Sequence, residues 1–195
     1  MKAGDLIFSQ IGSSTNAISS VTEGYKGARV NHVGVIIENH FGIYVLEAYY
    51  PEVKLTNIDT HIRRSADSNG NARYMLGRLK SEFMHLIPSA LDYGLRQKNL
   101  PYDHLYLTGE SSLYCSELVV DMFKHANSGV EFFPESPMSF RDLETGEVHA
   151  QWISYYRYFG MEVPEHEPGS NPGDLSKDSK LHVYDVVGDI SGYTP

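Results

Sequence analysis

A single cysteine in 195 residues excludes an internal disulfide framework and any zinc site built on several thiolates. No apolar run approaches the roughly 18 residues that would cross a bilayer as a helix. Basic residues are scarce: 16 Lys and Arg face 25 Asp and Glu, a formal net charge of −9. A chain with this balance has no basic footprint for nucleic acid, and anionic membrane surfaces repel it unless its charges are segregated. There is no internal repeat. The nine histidines include no His-Glu-x-x-His and no paired ligand spacing, so neither a metal ion nor another cofactor is expected. The Pro-Gly-Ser-Asn-Pro-Gly loop over 168–173 has no lysine and follows no strand-to-helix turn, which excludes a phosphate loop. Met1-Lys2-Ala3-Gly4-Asp5 leads directly into a strand with no apolar leader. That start predicts a cytoplasmic protein, or a cell-envelope protein if a leader has been removed.

What is present is an ordinary globular composition, 41% hydrophobic and 21% charged, in a chain long enough for one sizeable core. The lone cysteine lies in Leu113-Tyr114-Cys115-Ser116-Glu117-Leu118-Val119. From it, Cys115, Leu118, Val119, Met122 and Ala126 draw one apolar stripe at helical spacing. Ser111 and Ser112 are the expected N-caps, and Ser128-Gly129 stops the helix near residue 127. A thiol in a first helical turn faces unpaired N–H groups and the positive end of the dipole, which favour thiolate. The same N–H groups suit an oxyanion. The alternative is a small buried hydrophobe, the commonest fate of a lone cysteine; a base nearby would separate the two.

The clearest hairpin is formed by residues 31–38 and 43–50 about Asn39-His40-Phe41-Gly42. Burial selects the register in which Val33 faces Ala48, Val35 faces Leu46 and Ile37 faces Tyr44. The opposite, polar face then carries Gly34 across from Glu47, with His32 on the diagonal and within side-chain reach. His32 is therefore the leading base and Glu47 its orienting acceptor, as a cysteine nucleophile requires; the alternative is a satisfied strand histidine beside a solvated carboxylate. Elsewhere the pattern predicts a short helix about Ala17, Ile18 and Val21, a helical turn over 58–64, strands over 72–79 and 181–187, and helices over 81–98 and 148–160. Residues 163–178 read as loop. The stripe of Trp152, Tyr155, Tyr156 and Phe159 reads as core, with a lipid or sugar platform as the alternative.

Asn31-His32-Val33-Gly34-Val35-Ile36, Tyr44-Val45-Leu46-Glu47-Ala48, Leu100-Pro101-Tyr102-Asp103 and Tyr114-Cys115-Ser116-Glu117-Leu118-Val119 occur in that order. The set resembles the YiiX/YaeF-type, circularly permuted branch of the NlpC-type papain-like hydrolases, and Gly4-Asp5-Leu6-Ile7-Phe8 resembles that superfamily's opening strand. In unpermuted papain-like enzymes the cysteine helix precedes the histidine strand; here it follows, as in the branch that includes lecithin:retinol acyltransferase-like proteins. The resemblance implies an α+β, circularly permuted papain-like fold, an antiparallel sheet packed against the helix that starts at the cysteine. It implies one domain over 1–195, with the core at about 4–126 and 127–195 as an elaboration lining the cleft. It implies Cys115 as nucleophile, His32 as base and Glu47 as orienter; Tyr114 and Tyr102 are candidate oxyanion donors or supports, with aromatic core residues carrying a satisfied hydroxyl as the alternative. The implied substrate is a small peptide or an acyl or lipid amide. Hydrolysis, acyl transfer and non-catalytic binding of lipid or peptide all stay open at this point.

Overall fold

The structure, a computed structural model, describes residues 1–195 apart from 14, 15 and 110. Two of these fall in the polar stretch before the first predicted helix, outside the described residues. Strands β1 (Leu6–Ser9), β2 (His32–Asn39), β3 (Gly42–Tyr49), β4 (Glu52–Asn57) and β5 (Tyr74–Leu79) are rich in β-branched and aromatic residues. With the last strand, β8 (Leu181–Val187), they form one six-stranded sheet in the order β4-β3-β2-β1-β5-β8, every pair antiparallel. The β2–β3 hairpin has the predicted register, Val35 opposite Leu46 and Ile37 opposite Tyr44. It turns through His40 and Phe41, and Gly42 takes a φ of 136° that side chains disfavour. A two-strand ribbon, β6 (Ser136–Pro137) with β7 (Pro168–Gly169), lies apart.

One sheet face buries Leu6, Phe8, Val33, Val35, Leu46, Ala48 and Met75 against Leu118, Val119, Met122 and Phe123. Those four belong to α4 (Cys115–Ala126), the predicted cysteine helix. Helix α3 (Ile87–Arg96) packs beside it so tightly that a Cβ on Gly94 would sit 2.7 Å from both Leu46 and Met122. The other face is not the open polar surface expected from the hairpin. It holds its own apolar cluster of Ile7, Ile36, Val45 and Leu76, against which Ile58 packs. Ile58 opens α2 (Ile58–Arg64), which lies against β3 and β4. Residues near the sheet's end on this face are thereby taken out of water.

The remaining helices are α1 (Ala17–Val21), α5 (Ala150–Tyr158) and α6 (Pro172–Lys177). Four expectations need correction. The N-cap of α4 is Tyr114, not Ser111 or Ser112; its backbone N–H donates to Glu117 Oε2 at 3.3 Å, and Glu117 Oε1 accepts from Gly109 N–H. Residues 163–178 include α6, where Asn171 caps the helix by accepting from Asp174 N–H and the proline occupies the first turn, which has no N–H to lose. The helix expected over 81–98 begins as a 3₁₀ turn, Ser81–Leu86, before α3, so Pro88 again falls in a first turn. Finally, the core does not stop at residue 126. Phe132, Phe133, Leu175, Leu181 and Ile190 belong to the main cluster, and β8 completes the sheet beside β5.

A smaller cluster of Phe140, Trp152 and Tyr156, with Tyr106 and Met138 against it, stands beside the start of α4. No described helix is long and apolar enough to cross a membrane.

Candidate active site

Cys115 is the first residue of α4 and is 5% exposed. His32 is the first residue of β2, and Glu47 lies near the end of β3 on the face covered by α2. The diagonal predicted from the register is closed: His32 Nε2 donates to Glu47 Oε2 at 2.6 Å. That leaves the other ring nitrogen, Nδ1, free of Glu47, with Cys115 as the second group whose charge acts on the ring. Gly34 leaves room for the side chains of the neighbouring strand, Glu47 among them. A Cβ there would stand 2.4 Å from the Val45 side chain and 3.2 Å from Glu47 Cβ.

Burial alone pushes the His32 pKa down, but hydrogen bonds to Cys115 and Glu47, with the charges of both, outweigh it and raise the value to about 9. Glu47 is the mirror case. Burial raises a carboxyl pKa, yet the bonds from His32 and His61 and their charges hold Glu47 far below the usual carboxylate range. His32 is thus an imidazolium at neutral pH, flanked by a carboxylate and a sulfur.

Two members of this cluster were not identified from the sequence. His61, wholly buried in α2, donates from Nδ1 to Glu47 Oε2 at 2.9 Å and meets Ser9 Oγ at Nε2, 2.8 Å away. Arg64, one turn on, donates from Nη2 to Glu47 Oε1 at 2.5 Å. The available signal was the helical turn at 58–64, which places His61 and Arg64 on one face. Nothing in the sequence says that this face meets the sheet.

The tyrosines take separate positions. The Tyr114 hydroxyl accepts from Ser170 N–H at 3.1 Å, while Ser116 Oγ donates to Ser170 O at 3.0 Å, so the start of α4 is clasped to the segment after β7. The Tyr102 hydroxyl donates to Tyr106 at 3.4 Å. Burial raises the pKa of Tyr102 and Tyr114, keeping both phenols neutral. Two clefts flank the relay. One is lined by Cys115, Tyr106, Tyr114, Met138, Phe140 and Trp152. The other is lined by His32, Tyr49, Tyr50, Tyr102 and His104. Asn31 borders both.

His32, Glu47 and His61 are residue types that ligate metals, and their ligand atoms lie within 4.8 Å of one another. As packed, they do not fit an ion. Ligands held about 2.0–2.2 Å from a tetrahedral metal stand more than about 3 Å apart, whereas these atoms are in direct hydrogen bonds of 2.6 and 2.9 Å. The Arg64 guanidinium also lies 3.1 Å from His61 Nδ1, where it opposes a second cation.

A family model described as permuted papain-like amidase enzyme, YaeF/YiiX, C92 family, matches residues 1–183. No curated protein matches the chain in sequence. Among solved structures, the metalloprotein yiiX from Escherichia coli O157:H7 is similar, with a TM-score of 0.74 and 23% identity over 95% of this chain and 97% of that one.

Proposed function

The chain belongs to the permuted papain-like amidase family, and from that membership we propose a thiol-dependent amidase that works through Cys115, His32 and Glu47. The observation that carries the reading is the 2.6 Å bond from the buried His32 to the buried Glu47, which holds the ring whose charge Cys115 stabilises. The Cys115 thiolate attacks the amide carbonyl. Backbone N–H groups in the first turn of α4 hold the tetrahedral oxyanion. His32, protonated at rest, gives its proton to the departing amine. It then takes one from water, which attacks the thioester and releases the acid. Glu47 fixes the ring so that Nδ1 stays on the sulfur.

The two clefts give the substrate a direction. The acyl carbon must sit on Cys115 and the leaving nitrogen beside His32. The acyl half therefore enters the aromatic cleft of Tyr106, Phe140 and Trp152, and the amine half the cleft of Tyr49, Tyr102 and His104. An apolar acyl amide suits this arrangement better than a polar peptide.

Cys115→Ala tests the reading with a panel of N-acyl amides and peptide amides. The expected result is a loss in kcat/KM of at least about 10³-fold on any responsive substrate, with the fold intact. Turnover by the variant at the wild-type rate would reject the mechanism. So would a wild-type thiol whose alkylation shows no plateau below its free pKa of about 8.5.

A further inference from the structure

Glu47 is wholly buried and carries a full negative charge, which His32 shares with the sulfur. A buried carboxylate needs more than a shared partner. Arg64 supplies it on Oε1, and its placement is unusual. Its guanidinium lies over the Tyr49 ring, 3.7 Å from the centroid, and the His32 ring meets Tyr49 edge-on at 5.5 Å. Tyr49 thus separates two cations that serve one carboxylate. Arg64 Nε is buried with no hydrogen-bond partner among the described residues. A side-on bidentate fork would use that nitrogen; the bond Arg64 makes to the carboxylate is the one from Nη2 to Oε1.

His61 adds no charge. Burial pushes its pKa down, and the charges of His32 and Arg64 act in the same direction against the bonds to Glu47. With Nδ1 donating to Glu47, Nε2 accepts from Ser9 Oγ, so a neutral ring pins one carboxylate oxygen to β1.

We propose that Arg64 is the counter-charge of the relay: it cancels Glu47, so that the Cys115 thiolate and the His32 imidazolium form in a site of zero net charge, while His61 fixes the direction of the carboxylate. The inference rests on the amidase reading above and makes both α2 residues positioning groups. The other groups facing the relay leave this role to Arg64. Lys54 pairs with Glu47 across the β3–β4 ladder, but its ammonium bonds Tyr50 O at the surface, where salt screens it. His104 and Tyr102 line the His32 cleft, and Tyr106 and Tyr114 face the sulfur as neutral phenols.

The test is the pH dependence of Cys115 alkylation by iodoacetamide in the full chain, which needs no substrate. Without Arg64 the site is left with one net negative charge, which opposes thiolate formation and holds the His32 proton more tightly. Arg64→Met should therefore move both limbs of the profile up by about one pH unit or more. Arg64→Lys should recover most of that shift, Glu47→Gln should move the limbs down, and Glu47→Gln with Arg64→Met should return them close to wild type. Lys54→Met should move nothing. An Arg64→Met profile that superimposes on wild type, or an Arg64→Lys shift equal to it, overturns the proposal. If circular dichroism shows Arg64→Met unfolded, Glu47→Gln against the double variant asks the same question, and identical profiles overturn it. A wild-type profile lacking the low-pH plateau sinks the amidase reading and this inference together; a normal wild-type profile with unshifted variants sinks this inference alone.

Discussion

On one side of Cys115 lie the buried Ser9, Glu47 and His61 and the partly exposed Arg64, polar side chains hydrogen-bonded to one another. On the other lie Tyr106, Phe140 and Trp152, which meet largely edge to face and leave an open cleft between them. In the first region Ser9, His61 and Arg64 each bond a particular partner, so removing one group strands another in a dry site. In the second, contacts are non-directional, and a change of volume alters what fits before it alters what reacts. On the proposed reading, chemistry and selectivity are held by different forces in adjacent parts of the molecule. Substitutions should separate them.

The largest effect should come from Glu47→Ala, which leaves Arg64 and His61 facing an empty position. Chemical denaturation should show a loss of about 3–5 kcal/mol, and kcat should fall at least about 100-fold. A stability within error of wild type would mean that the hydrogen-bonded region is as tolerant as the aromatic one. Trp152→Ala is the converse case. It should cost about 3 kcal/mol through the lost packing. It should also shift preference towards bulkier acyl groups and leave the midpoint of Cys115 alkylation where it is. A moved midpoint would erase the distinction between the two regions. The smallest effect belongs to Tyr114→Phe, which removes only the acceptor for Ser170 N–H where the regions join. We expect about 1 kcal/mol of stability lost with kcat nearly unchanged; a tenfold fall in kcat would make this phenol an oxyanion donor.

The same division governs what the sequence reveals. The hairpin register follows from alternation alone, and it brings His32 to Glu47 because a strand's period is fixed. The helix beginning at Cys115 follows from its stripe in the same way. His61 and Arg64 escaped because the 58–64 turn is short and amphipathic in no obvious way, and its docking on the sheet is a tertiary event. Tyr114 was passed over as N-cap because Ser111 and Ser112 have the better intrinsic preference, and Glu117 overrides it by bonding back to the Tyr114 N–H. The core limit at residue 126 failed for a further reason. Leu181–Val187 reads as a strand, but which edge it joins depends on residues far from it.

That last strand has a consequence for how the chain reaches its native state. β8 pairs with β5, joining Tyr74 to Val187, and Tyr184 Oη donates to Asp5 beside the central strand. Hairpins such as β2–β3 can zip locally, but this closure requires a long loop search, the type of contact that slows folding. A nascent polypeptide therefore presents β5 as a bare edge until β8 has left the ribosome, a template for misassociation that the finished sheet covers.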